Sequence, residues 1–299
     1  MQKFLIFDID HTITTFDHDA GMASLQKYMW DKRDIFDTTL RQRICSFMDR
    51  CYAAFLARAK GINLDDIQKI ETIIKDASYE IEGLENFTDV HWSRELWIYL
   101  SAGGSLSPVA AVEAASSFWK GVALAAVQYD DARKFFDWLN KRPAGYNYKL
   151  SPVNRWKTVF VTSSDARLQA TRDNLRLLYQ AQHSQLMKLG RVKRILPHSP
   201  FTFVGDPVSK PHSEFWTPVL QRIVYDPEKD LALMTGDSPR SDLTGLDKFS
   251  IVPVLIDRDG KFTPPEVPHA KYIISSLEAL QNIMTIEAVN RKEELERRS

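Results

Sequence analysis

Two acids and a threonine at alternate positions, Asp8, Asp10 and Thr12, follow directly on the apolar run Phe4, Leu5, Ile6 and Phe7. In an extended segment alternate side chains point the same way, so Asp8 and Asp10 share one side while Ile9 turns from it. Carboxylates this close repel each other and call for a cation or a shared proton. The stretch is either one wall of a metal site or a solvated strand end whose Thr12 caps a following helix. Three other places bear on the choice. Thr162, Ser163 and Ser164 end the stretch WKTVFVTSS (156–164); Gly236, Asp237, Ser238 and then Asp242 follow LALMT (231–235); Lys210 precedes Pro211 at a helix start.

Carboxylates and hydroxyls with one lysine, and no thiol or imidazole, make a hard-oxygen donor set. Such a set favours Mg2+ with retained waters. A cation of this kind lets Asp8, Asp237 and Asp242 stay ionised together. Thr162 and nearby backbone N–H groups are suited to phosphoryl oxygens, as anion sites at strand-to-helix turns are. Lys210 adds a point charge that offsets carboxylate and phosphate. Phosphoryl transfer asks mainly for positioning and charge neutralisation, which these residues supply. Asp8 is then the group to attack phosphorus and form an aspartyl-phosphate. Asp10 is the group to carry a proton to the leaving oxygen and afterwards activate water.

The elements that must position these residues follow from periodicity. Phe4–Phe7 is apolar without alternation, as a strand buried on both faces is. Phe36, Leu40, Ile44, Phe47, Met48, Cys51, Tyr52, Phe55 and Leu56 recur at helical spacing. Further helices are expected from Asn63 to near Gly83, over Trp92–Leu100, and from Ser107-Pro108 through Trp119, where the Ser-Pro pair reads as N-cap and first turn. Residues 16–127 thus read as all-helical. From about 130 helices and strands alternate: helix 130–142, strand 156–164, helix 165–189, strand 201–204, a helix after Pro211, strand 231–235, a helix near 239–248, strand 251–256 and an edge strand 272–275. This alternation predicts an α/β fold, a doubly wound and mostly parallel sheet covered by helices, into which the helical block is inserted after the first strand. The expected division is residues 1–15 with 128–299 as the α/β core, and 16–127 as a helical cap. The charged tail from Ile286 reads as an exposed, fraying helix.

The chain of 299 residues is 44% apolar and 26% charged with zero net charge, an ordinary composition for a folded protein. Nothing in that charge balance suggests nucleic acid or an anionic membrane. Cys45 and Cys51, six apart on different helical faces, suit neither a disulfide nor a metal pair, and point to a reducing, cytoplasmic setting. The cap aromatics Phe47, Tyr52, Trp97 and Trp119 read as core residues, and Arg167 and His212 as helix-surface residues.

FDIDHT, FVTSS, SKPHSEFW and TGDSPRSD occur in the order and strand contexts of the haloacid dehalogenase-like (HAD) superfamily, which the chain resembles from residue 3 to about 280. The resemblance implies Asp8 as nucleophile and Asp10 as general acid/base. It implies Thr162, Ser163 and Lys210 as phosphoryl-binding, and Mg2+ on Asp8, the Asp10 carbonyl and Asp237. Asp242 would act through a metal-bound water or through Lys210. The helical insertion resembles the caps of the family's phosphatase branch, and the expected substrate is a small phosphorylated metabolite. His11 departs from the pattern, standing where glycine is common. A phosphomutase or phosphotransferase on the same core, or a non-catalytic binding protein, is the alternative. A dehalogenase fits less well, because halide displacement does not require the acid/base Asp10.

Overall fold

The computed structural model describes residues 1–59, 94–103, 105–140, 156–163, 169, 201–205, 210 and 212–298. Strand β1 (Lys3–Phe7) is buried along its whole length, which is why its sequence shows no polar alternation. It pairs in parallel with β2 (Trp156–Thr162) on one side. On the other it pairs in parallel with β4 (Leu231–Gly236). Strand β3 (Thr202–Val204) lies outside β2, while β5 (Ile251–Ile256) and β6 (Tyr272–Ile274) lie outside β4. Among the described residues all strand pairings of this sheet are parallel and the order is β3-β2-β1-β4-β5-β6. The chain steps outward from β1 to β3 and then returns to lay β4 against β1. The order therefore reverses between β1 and β4, and a ligand cleft belongs at the carboxyl ends of those two strands.

Between β1 and β2 the described chain is helical: α1 (His18–Asp31), α2 (Thr38–Ala59), α3 (Arg94–Ser101), α4 (Pro108–Ala125) and α5 (Asp130–Asn140). After β3 come α6 (Ser213–Ile223) and, at the end, α7 (Leu280–Arg298). Phe4, Ile6, Val161, Ala232 and Met234 cover one sheet face and pack with Phe215, Trp216 and Val219 of α6. Leu5, Phe7, Phe160 and Leu233 cover the other, with Phe135 and Phe136 of α5 and Ile283 and Met284 of α7. Helices α1–α4 have an apolar core of their own, built from Met22, Leu25, Ile44, Met48, Trp97, Phe118 and Trp119 among others. Phe47 and Tyr52 pack against it half-buried, so the four aromatics expected in a core are there.

Several expectations need correction. Helix α1 precedes the first helix read from periodicity. Its N-cap is Asp17, whose carboxylate accepts the Ala20 N–H at 2.9 Å. The helix expected near 239–248 is instead a π-helical turn, Pro239–Leu243, and a 3-10 turn, Leu246–Phe249. Gly245, at φ 76°, separates them by turning the chain left-handed. The tail is better anchored than its charge suggests. Glu287 is buried and pairs with Lys271 at 2.7 Å and Tyr272 at 2.5 Å, and the Arg291 guanidinium donates to the Pro227 carbonyl. Ser107 caps α4 as expected, accepting the Ala110 N–H at 3.2 Å. The helix expected over 63–83 and, apart from Gln169, which is helical, the one expected over 165–189, with Ser164 and Arg167, lie outside the described residues. Among the described residues no helix is long and apolar enough to cross a membrane.

Candidate active site

One backbone bond beyond the end of β1 starts the site. The Asp8 N–H donates to the Thr235 carbonyl at 2.9 Å, so the ladder to β4 continues and holds Asp8 at the reversal of strand order. The chain then leaves the sheet in a single turn: the Ile13 and Thr14 N–H groups both donate to the Ile9 carbonyl, at 2.9 and 3.0 Å. Within that turn His11 has φ 61°, a left-handed conformation that favours glycine, which accounts for glycine being common there in the resembled pattern. Thr12 does not serve as a helix cap; its hydroxyl donates to Asp237 Oδ1 at 3.2 Å.

Past β4, Gly236 leaves room for Asp242 to fold back over the strand end. A Cβ at position 236 would lie 2.2 Å from Asp242 Oδ2. The Ser238 N–H donates to that Oδ2 at 2.9 Å, and the Ser241 hydroxyl to Oδ1 at 3.3 Å. Wide π-helical turns recur at functional sites, and this one aims a carboxylate. Lys210 is buried between two acids, donating to Asp8 Oδ1 at 2.5 Å and to Asp242 Oδ1 at 2.7 Å. Carboxylate oxygens of Asp8, Asp237 and Asp242 all lie within 4.8 Å of one another.

These charges strain against burial. Burial pushes the Asp8 carboxyl up to about 7 against the pull of Lys210, and Asp242 and Asp10 add to the rise. Burial also raises Asp237, helped by Asp242 and Asp8 and opposed by Lys210 and Thr12. Burial works against the charge of Lys210, yet Asp242 and Asp8 outweigh it and hold its pKa above the ordinary lysine range. One lysine therefore leaves the acids short of positive charge. All-oxygen donors, a gathered geometry and two acids driven toward their protonated forms fit a hard divalent cation.

The structure thus brings Asp8, Lys210, Asp237 and Asp242 together. Asp10 is half-buried next to Asp8 and close enough to raise its pKa, but adds no carboxylate oxygen to the cluster. Thr162 ends β2 on the same rim, buried, and its carbonyl accepts the Gly205 N–H at 2.7 Å. Ser163 follows it with a buried hydroxyl that has no partner among the described residues. His212 is the N-cap residue of α6 and makes no side-chain cap bond. Sequence reasoning named Gly236 and Ser238 without seeing that they support Asp242, and overlooked Ser241, though all three lie inside TGDSPRSD. It also overlooked Arg258, two residues past β5. The signal that could have found it is position: the site residues at β1, β2 and β4 all lie at or just past strand ends, and so does Arg258.

No protein-family model and no curated protein sequence matches the chain. Solved structures do. The chain aligns over 95% of its length with 98% of YfnB from Bacillus subtilis, described as a HAD-hydrolase and solved bound to magnesium, at 19% identity and a TM-score of 0.50. It aligns over 95% of its length with 99% of a 2-haloacid dehalogenase from Pseudomonas syringae pv. Tomato, at 13% identity and a TM-score of 0.54. Parallel sheet, helices inserted after its central strand, and full-length structural likeness agree: the chain has the haloacid dehalogenase-like fold.

Proposed function

We propose that the protein is a Mg2+-dependent phosphohydrolase that removes phosphate from a small phosphorylated metabolite through an aspartyl-phosphate on Asp8. The observation that carries this reading is the buried set at the β1/β4 switch point, three carboxylates within 4.8 Å of one another and a lysine bonded to two of them. Mg2+ held by Asp8, Asp237 and the Asp10 carbonyl would neutralise the carboxylates and the phosphoryl oxygens. Asp242 is read as the group that orients Lys210, since its two oxygens are already engaged by Lys210, Ser241 and the Ser238 N–H. Thr162, Ser163 and Lys210 receive the phosphoryl oxygens.

The reaction balances on the chain's own groups. An Asp8 oxygen bonds to phosphorus as the phosphorus–oxygen bond to the alcohol breaks, and Asp10 gives its proton to the departing oxygen. Asp10 then takes a proton from water, the water oxygen bonds to phosphorus, and the bond to Asp8 breaks to release phosphate. Halide displacement needs no proton on the leaving group, so the presence of Asp10 beside Asp8 favours the phosphatase over a dehalogenase. Residues 16–127 are assigned the role of cap. A cytoplasmic setting belongs to the same reading, with Cys45 and Cys51 both free thiols. The test is phosphate release from a panel of phosphorylated metabolites with and without Mg2+. Release that requires Mg2+ supports the reading. Transfer of the phosphoryl group to a second metabolite would replace it with a phosphotransferase, and no turnover of any phosphate ester would overturn it.

A further inference from the structure

The turn that carries Asp10 is held from outside by a residue far along the chain. Arg258 Nη1 donates to the His11 carbonyl at 2.9 Å and Nη2 to the Thr12 carbonyl at 2.8 Å. Its other edge grips Asp131 at the start of α5, with Nε 3.2 Å from both carboxylate oxygens and Nη2 at 3.1 and 3.0 Å. Tyr129 lies against the guanidinium at 4.0 Å from its ring centre. Asp131 is fixed in turn, because its Oδ2 also accepts the Leu277 N–H at 2.9 Å. One planar cation is thus pinned by a carboxylate fork and an aromatic face, and presents its remaining N–H groups to two successive carbonyls.

Those carbonyls matter because of where they stand. His11 is left-handed, a conformation that disfavours side-chain-bearing residues and relaxes unless its surroundings hold it. Fixing the His11 and Thr12 carbonyls fixes the His11–Thr12 and Thr12–Ile13 peptide planes, one residue on from Asp10, while the Thr12 hydroxyl reaches on to Asp237. Tyr129 and Asp131 belong to the segment by which the chain returns from the helices. That segment is stitched to the same turn: Tyr129 N–H donates to the Ile13 carbonyl at 3.0 Å, and Thr15 N–H to the Val127 carbonyl at 2.9 Å. A lysine at 258 could answer the charge of Asp131 but could not hold a carboxylate and two carbonyls in one plane.

We propose that Arg258 is a positioning residue for the acid/base step: it locks the left-handed turn that aims Asp10 and ties that turn to the returning chain at Tyr129 and Asp131. The proposal rests on the reading of Asp10 as the proton carrier. Arg258→Lys keeps the charge and loses the fork. A misplacement of this kind costs about 10–100-fold in kcat on an alkyl phosphate. KM should stay within about threefold, because the phosphate site is untouched. The loss should shrink on 4-nitrophenyl phosphate, whose leaving group needs no proton. In the Asp10→Asn background Arg258→Lys should add nothing further, since both changes remove one function. Equal losses on both esters, or full additivity with Asp10→Asn, would overturn the proposal. Asp131→Asn frees the guanidinium from the other side and should reproduce the pattern in milder form; it carries the kinetic test if Arg258→Lys does not fold. Hydrogen exchange judges the inference without turnover: the His11, Ile13 and Thr14 amides should lose protection in Arg258→Lys or Asp131→Asn while β1 keeps its own. Unchanged protection would overturn the proposal even if no phosphate ester is a substrate, an outcome that would sink only the hydrolase reading.

Discussion

Asp8, proposed as the nucleophile, carries two demands that oppose each other: in that role it must be ionised, yet it is buried among acids. With no cation bound its carboxyl is pushed up to about 7, chiefly by burial, and Asp237 moves the same way. An unfolded chain titrates such a group near its ordinary value of about 3.9. Between those values the folded protein keeps a proton that the unfolded chain has lost, so metal-free stability falls as pH rises through that window. A cation that replaces the proton reverses the trend. The rise in Tm on saturating with MgCl2 should therefore be small near about pH 5 and larger by about pH 7.5, because the ligands must be deprotonated to bind. Thermal melts with and without MgCl2 at the two pH values decide it; an increment that shrinks toward neutral pH excludes a cation on these carboxylates. Asp8→Asn keeps the shape but removes the charge of the proposed nucleophile and proposed metal ligand. Turnover should drop below about one hundredth of wild type with the fold intact by circular dichroism. Residual activity above that level would remove Asp8 as nucleophile.

At the scale of elements, the end of β4 and the turn after it work as one piece. Asp242 reaches Lys210 only because Gly236 has no side chain in its way: an added Cβ would also stand 2.4 Å from Asp242 Cβ and Cγ. Gly236→Ala must push Asp242 outward or bend the strand. Such overpacking typically costs about 1–3 kcal/mol. Activity should fall as well, because the second acid leaves Lys210; urea unfolding read beside kinetics checks both, and a variant as stable and active as wild type would show that the turn gives way freely. The same piece marks what the sequence made legible. Asp8, Asp237 and Asp242 could be read because each ends, or closely follows, an apolar run whose uniformity betrays a strand buried on both faces. The π-helical turn could not, since 239–248 reads as one helix, whereas the chain packs Asp242 against Gly236 and turns left-handed at Gly245. Arg258 was hidden for another reason. Its partners lie 127, 246 and 247 positions away, so no local spacing announces them.

At the scale of the whole molecule the chain builds its apolar interior in separate clusters. Among the described residues one is made by helices α1–α4 and the turns between them, from Met22 to Ala123, and two others cover the faces of the sheet. The ends of the helical block meet where it leaves the sheet, Thr15 N–H donating to the Val127 carbonyl at 2.9 Å and Val127 N–H to the Thr15 hydroxyl at 3.0 Å. Helix α2 touches the Pro239–Leu243 turn, so the block reaches the rim where the acids sit. The rim itself offers carboxylates, hydroxyls and a lysine, which suit the phosphoryl group common to every ester and do little to tell one alcohol from another. In the cap role proposed for it, a block tethered beside that rim would exclude water and read the leaving group, as lids do. Because its ends are already hydrogen-bonded to each other, residues 16–126 can be replaced by a short Gly/Ser linker without stretching the chain. The core left behind keeps both covers of its sheet, and a cooperative thermal transition must establish that it is folded. On a small activated ester such as 4-nitrophenyl phosphate this trimmed protein should retain Mg2+-dependent turnover, while its kcat/KM values for different phosphorylated metabolites converge. A folded, trimmed protein that ranks those metabolites as the full chain does would show that α1–α4 play no part in selecting the substrate.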